Sequence, residues 1–362
     1  MAEITRIRTH AIRLPLRRPF VTAVRSVTAL DAVIVSVGDA DGRTGWGEAA
    51  VSWRVTGESA ASVDAVTAGP LSESLRGLPA DDPSVWGPAL AAAVVHNTAA
   101  KAAVDAALWD IAAQTAGLPV HRLLDAESTS TVHTDITVSA AEEDAVLRAA
   151  AEHVADGFGV VKVKLGRDAD RDDATLRALR RSAPAHIRIR VDANQGWSAD
   201  EAIRLIRGWE DDDLGVELVE QPTAAADIAA LARVTHATAT PILADEALWG
   251  LRDLHEIARM GAADLVNVKL AKCGGISPAR ELIAHAQAAG MQVLVGSMLE
   301  SVVGVTAAAH LAATLPGRVH DLDAGLWQRS APVHGGARYE RDRVELGDAA
   351  GFGILALRED LS

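Results

Sequence analysis

An α/β architecture, a ring of eight parallel strands wrapped by helices behind a smaller α+β segment, is the fold class the sequence predicts. Three observations carry it. Eight short apolar runs each finish on a polar or glycine residue, and their ends recur at steps of 24 to 28 residues. Helix-like stretches such as Ala199 to Trp209 and Pro278 to Ala289 lie between them, so one step holds one strand and one helix. The part of the chain before residue 125 does not share this period. Eight such units make a TIM-type barrel; a doubly wound sheet, with typically five or six strands, fits the count less well.

In chain order, residues 3 to 14 alternate, then Asp31 to Val37 and Arg43 to Ala50 flank a Gly-Asp-Ala-Asp-Gly turn at 38 to 42, predicting an antiparallel meander. Residues 57 to 115 are rich in Ala, Val and Leu and read as helical up to Gly117-Leu118-Pro119, a stop signal. Asp-Ala-Glu-Ser-Thr-Ser from 125 marks a boundary. The eight runs follow: His133 to Thr137, Val160 to Lys164, Ile187 to Asp192, Val216 to Glu220, Ile242 to Asp245, Leu265 to Lys269, Gln292 to Gly296 and Val319 to Asp323. No final helix is evident, and residues 326 to 362 hold Gly and short apolar pieces that could return to the first segment. The division expected is 1–125, 126–325 and 326–362.

Composition narrows the function. The 362 residues carry 35 Lys+Arg against 49 Asp+Glu, a net charge of −14, which argues against a phosphate-backbone partner. A single cysteine, Cys273, excludes an internal disulfide framework and a thiolate metal cluster. No signal-peptide core and no uncharged apolar stretch of membrane-spanning length is found, so the expectation is a cytoplasmic protein without a membrane partner, and a homo-oligomer. Zincin, P-loop and nucleophile-elbow motifs are missing from the sequence.

In such barrels the site lies at the C-terminal ends of the strands. Runs three, four and five end on Asp192, Glu220 and Asp245. Neighbouring strands lie about 4.8 Å apart, so the three carboxylates can converge on one hard cation, magnesium or manganese rather than zinc. A lone Asp at such a place is commonly a surface group or helix cap; three in successive units are not. Run two ends Lys162-Val163-Lys164, which puts both ammonium groups on one face, and run six ends on Lys269. Runs two and six are opposite in a ring of eight, so Lys164 and Lys269 would face a ligand from both sides, the geometry of two-base epimerisation. A like charge at Lys162 and a nearby metal would favour the neutral base. Asp321 and Asp323, on run eight across from Glu220 and hence far from the metal, suit a substrate ammonium, with a strand-end turn or helix cap as the alternative.

These residues resemble the enolase superfamily in its muconate-lactonizing branch: Lys162-Val-Lys164, Val191-Asp192-Ala-Asn-Gln-Gly-Trp197, Val219-Glu220-Gln-Pro222, Ala244-Asp245-Glu246, and Asn267-Val-Lys269-Leu-Ala-Lys-Cys-Gly-Gly275. With Gly296-Ser-Met-Leu-Glu300 and Asp321-Leu-Asp323 the chain is similar to dipeptide epimerases, best known in Ala-Glu epimerases. The resemblance implies a (β/α)7β modified TIM barrel closed by an α+β capping domain formed from the N-terminal segment and C-terminal tail. It implies that Asp192, Glu220 and Asp245 bind magnesium, that Lys164 and Lys269 are the acid/base catalysts, and that Lys162 polarises the substrate carboxylate. Thr137, Gly296 and Met298 would line the dipeptide, the last two partly through backbone, and Asp321 and Asp323 would hold its ammonium. Two cap loops, Pro19 to Val27 and about Val51 to Ser59, would shape specificity. There Arg25 resembles the arginine that pairs with an acidic side chain, with a solvated surface arginine as the alternative, while Ser52-Trp53-Arg54 is less apolar than the family pattern. Rival readings are another reaction of the branch (o-succinylbenzoate synthesis, N-succinylamino acid racemisation, muconate cycloisomerisation) and a non-catalytic ligand-binding barrel.

Overall fold

The structure, a computed structural model, describes residues 2–21 and 26–359. Strands β1 (Ile4–Val21), β2 (Ser26–Asp39) and β3 (Thr44–Ala50) form an antiparallel meander. Ile12, Leu14 and Leu16 of β1 alternate inward, as period-two patterning requires. The sheet packs on the alanine-rich helix Thr98–Ala116, fourteen of whose nineteen positions are buried. Contact is close because β3 offers glycines: a Cβ at Gly45 would stand 1.9 Å from the Ala107 carbonyl oxygen, and one at Gly47 2.0 Å from that of Ala103. The helical stretch expected over 57 to 115 is broken into shorter pieces. Gly69-Pro70 sits in a kinked segment with non-helical Gly69, and Pro83 opens a new helix at Pro83–Ala92, since proline lacks the donor a helix interior needs.

Seven parallel strands follow in one sheet, in unbroken chain order: β5 (Ile136–Val138), β6 (Val160–Lys164), β7 (Arg188–Asp192), β8 (Val216–Glu220), β9 (Ile242–Ala244), β10 (Leu265–Lys269) and β11 (Gln292–Gly296). Two short strands close the ring: β4 (Thr131–Thr134) and β12 (Val319–His320) pair in parallel, and a bridge between Gly296 and Asp321 ties β12 to β11. The first run, read as one strand over 133 to 137, is thus divided at Asp135, whose N–H turns to the His320 carbonyl at 2.9 Å. Seven long helices cover the strands, and a 3-10 turn, Asp323–Leu326, stands where an eighth would begin. The chain is therefore an α/β protein with a (β/α)7β barrel. No described helix is long and apolar enough to cross a membrane.

Buried acids of the first segment grip barrel helices by their electropositive N-termini. Glu48 on β3 accepts the N–H groups of Ser301 (2.8 Å) and Gly304 (2.9 Å) at helix Val302–Ala312. Asp105 accepts those of Ile276 (2.6 Å) and Ser277 (3.1 Å) at helix Ile276–Ala288. The tail touches both parts. The Arg17 N–H reaches the Trp327 carbonyl and the Phe352 N–H reaches Asp110, whereas Arg343–Glu345 pairs with β4.

Gly47→Ala is expected to destabilise the chain by about 3 kcal/mol or more, because its Cβ meets backbone that cannot move aside. Gly208→Ala, in helix Ala199–Asp211 where the added Cβ would meet only Arg177 Nη2 at 3.6 Å, should be neutral or stabilising by up to about 1 kcal/mol. Denaturant midpoints of the two variants check the contrast.

Candidate functional site

Strand register sets the site. Cα pairs Lys164 with Asp192, Asp192 with Glu220, Thr137 with Lys162 and Lys269 with Gly296, so the strand ends finish level and their last inward side chains meet. Under β8 to β11 the interior is filled by Leu218, Leu243, Leu265 and Leu294. Above this lies a small cavity of about 80 Å³. Thr137, Lys162, Lys164, Asp245, Lys269, Asp321 and Asp323 line it from the strands, and Phe20, Val55 and Trp327 from elsewhere in the chain.

The three candidate metal ligands are buried and held by lysines. Asp192 accepts Lys164 Nζ at 2.5 Å and lies 3.4 Å from Lys162 Nζ. Glu220 stands 2.6 Å from Lys162 Nζ and accepts Asn267 Nδ2 at 3.0 Å. Asp245 takes Lys269 Nζ at 2.8 Å and Lys272 Nζ at 2.5 Å. Burial, reinforced by Asp192 and Asp245, pushes the Glu220 carboxyl up to about 8 in spite of Lys162. Burial works against ionisation of Asp245 as well, but Lys269 and Lys272 outweigh it and hold that carboxyl well below the usual range. Next to it Glu246, pushed up to about 7 by burial and by Asp245 and Asp192, keeps Oε2 without a partner, as Asn194 does Oδ1. An all-oxygen donor set with protonation forced on one acid, and orphaned oxygens beside it, fits a hard divalent cation. A second acidic group, Asp135, Asp321 and Asp323, offers oxygens within 4.8 Å of one another. Arg190, Lys162 and the Thr137 N–H already bond its three members.

Lys164 and Lys269, on β6 and β10, line one cavity from opposite arcs of the ring. Burial lowers the pKa of Lys269, but Asp245, Asp321 and Glu220 more than reverse it and raise it above the usual lysine value. One expectation needs correction: Asp321 is not far from the carboxylate cluster, since Lys162 Nζ is 2.8 Å from Asp321 and 2.6 Å from Glu220, and Asn267 Nδ2 also reaches both. Opposite strands of so small a barrel are separated only by their own side chains, and one lysine spans the gap.

Thr137 and Met298 line the cavity as expected. Gly296 has a further part: a Cβ there would come within 2.9 Å of Lys269 Cε and 2.4 Å of Asn267 Oδ1, so the glycine makes room for the lysine. Arg25 lies outside the described residues. Arg54 is exposed and its neighbour Val55 lines the wall. Sequence reasoning passed over Phe20 and Trp327, whose rings stack 4.5 Å apart at the rim, and gave no role to Lys272, although it stands three residues after Lys269.

Both parts of the chain match known proteins. Residues 4–125 match the model of the mandelate racemase / muconate lactonizing enzyme N-terminal domain, and residues 145–360 the enolase C-terminal domain-like model. The L-Ala-D/L-Glu epimerase of Bacillus subtilis is 38% identical over 98% of this chain and 97% of its own length. Its substrate-liganded structure superposes with a TM-score of 0.96, covering 98% of this chain and 99% of that one. A dipeptide epimerase of Methylococcus capsulatus, solved with Mg and the dipeptide L-Arg-D-Lys, is 33% identical with a TM-score of 0.92 over 98% of this chain and all of its own (100%). The hydrophobic dipeptide epimerase of Enterococcus faecalis is 34% identical over 97% of this chain and 99% of its own.

Magnesium added to metal-stripped protein is expected to stabilise the fold by about 2.7 kcal/mol at a hundred times its Kd, raising the thermal midpoint further as the logarithm of its concentration. Because Glu220 must give up a proton held to about 8, the apparent affinity should rise with pH up to that value. Differential scanning calorimetry checks both, and Asp245→Asn should abolish the shift.

Proposed function

The chain belongs to the mandelate racemase / muconate lactonizing enzyme family of the enolase superfamily, and on that premise we propose that it is a magnesium-dependent dipeptide epimerase. The observation that carries the reading is the pair Lys164 and Lys269, facing one cavity from opposite sides above a carboxylate cluster. We assign Asp192, Glu220 and Asp245 to the metal, Asp321 and Asp323 to the substrate's free ammonium, and residues 1–125 with part of the tail to a cap. Bound at its three carboxylates, magnesium would supply Lewis-acid acidification of the α-hydrogen and would compete for the acids that now hold Lys164 and Lys269.

The chain's own residues do the rest. Lys162, buried and ion-paired on the cavity floor, meets the substrate carboxylate and steadies the negative charge it gains as the α-proton leaves. Of the two flanking lysines, the one on the hydrogen's side accepts that proton and the other, charged, returns one to the opposite face. Inversion follows because each face has its own base. Phe20, Val55 and Trp327 keep water from the reacting carbon. Arg25 is proposed to select a glutamate side chain, a reading supported by the Ala-Glu specificity in the name of the Bacillus subtilis relative.

The other reactions of the branch are less well served, since their substrates bring no ammonium to Asp321 and Asp323. A binding module would need no base on each face. A cytoplasmic location suits the single free thiol, Cys273. Self-association is carried forward as a proposal that light scattering reads directly.

In D2O the enzyme is expected to exchange and invert the α-hydrogen of the C-terminal residue of L-Ala-L-Glu, followed by NMR. A dipeptide panel with acidic, basic and apolar members showing no exchange would rule the proposal out. Lys269→Ala should abolish inversion, lowering kcat by at least about 10³-fold, while exchange on the Lys164 face survives.

A further inference from the structure

At the break between β4 and β5, beneath the cavity, Asp135 is fully buried and its Oδ2 accepts Arg190 Nη1 at 2.8 Å. Its other oxygen, Oδ1, has no hydrogen-bond partner among the described residues. Asp321 and Asp323 sit beside it, with one oxygen from each of the three carboxyls inside 4.8 Å of the others. An acceptor buried with nothing to accept from costs about 1–3 kcal/mol, and two more acids around it deepen the deficit. Resident cations do not fill it. Arg190 is shared with Glu217 at 3.0 Å, and Lys162 divides itself among Asp321, Glu220 and Asp192.

Resting on the epimerase reading above, we propose that Asp135 is the third acid of the substrate's ammonium seat: a positioning residue, anchored by Arg190, that makes the enzyme prefer a free α-ammonium to an N-acyl group. The spacing of the three acids, within 4.8 Å, admits an ammonium. Three N–H···O bonds of about 2.8 Å along tetrahedral directions place their acceptors about 4.6 Å apart. Magnesium, with bonds of about 2.1 Å, would need them drawn to about 3 Å. The Thr137 N–H, 2.6 Å from Asp323 Oδ2, fixes one arm of the seat while Arg190 fixes another. An N-acyl nitrogen offers one N–H and no charge, so the field of Asp135 does not help to hold it.

The test compares L-Ala-L-Glu with its N-acetyl derivative in the magnesium-loaded wild type and in Asp135→Asn, by steady-state kinetics and by calorimetric binding. The amide keeps an acceptor for Arg190 but loses the charge. The expected result is a KM and Kd for the free dipeptide raised tenfold or more, kcat changed less than about threefold, and a change below threefold for the N-acetyl compound. Equal loss on both substrates, the mark of a merely structural role, would overturn the proposal, as would a second Mn2+ bound per chain and lost in the variant. If the wild type binds the free dipeptide selectively without epimerising it, the seat stands and the epimerase reading falls. If it epimerises with a selectivity that Asp135→Asn leaves untouched, the reverse holds. Asp135→Ser carries the same expectation should the amide variant not fold.

Discussion

Everything at the mouth of this barrel depends on sharing buried charge. Asp192, Glu220, Asp245, Asp321 and Asp323 are nearly or fully enclosed, and so are Lys162, Lys164, Lys269 and Lys272. Taking one such ion out of water costs several kcal/mol, which mutual attraction repays only where geometry and hydrogen bonds are good. Lys162 contacts three carboxylates and Lys269 approaches three, so no ion pair is private. The network holds itself together and still leaves Glu220 and Asp323 each pushed to about 8. Those residual strains are where an incoming dication and an incoming ammonium gain most.

The barrel makes this arrangement possible by separating its packing from its chemistry. Leucines close the lower interior beneath β8 to β11, while Arg190 and Asp135 occupy the side of β4 to β7. Level strand ends deliver the polar side chains to one depth, and Gly296 clears the space that Lys269 needs. Glu48 and Asp105 bind the first segment to the long helices that come after β11 and β10, so the wall carrying Phe20 and Val55 is fixed relative to the lysines by hydrogen bonds rather than by apolar contact alone.

Much of this was legible in the sequence because each barrel strand is an apolar run whose polar terminus breaks the pattern. Asp192, Glu220, Asp245, Lys164 and Lys269 all announce themselves that way, and the cavity gathers them. Residues inside a run are quieter. Arg190 sits two before Asp192 and Asp135 interrupts the first run, yet their pairing joins positions 55 residues apart and has no local signature. Phe20 and Trp327 come from opposite ends of the chain. The closeness of Glu220 and Asp321 escaped for another reason: counting strands around a ring gives angle but not the radius, and here the radius is short enough for one lysine to bridge. Helix breaks at Pro70 and Pro83 were written in the sequence but outweighed by alanine-rich composition in the reading of 57 to 115.

The central claim, that one carboxylate cluster takes the metal and the other the substrate ammonium, is tested most directly by locating the ion. Anomalous scattering from crystals grown with Mn2+ and a dipeptide is predicted to place a single peak among Asp192, Glu220 and Asp245, with the dipeptide nitrogen at Asp321 and Asp323. A peak among Asp135, Asp321 and Asp323 would contradict the account.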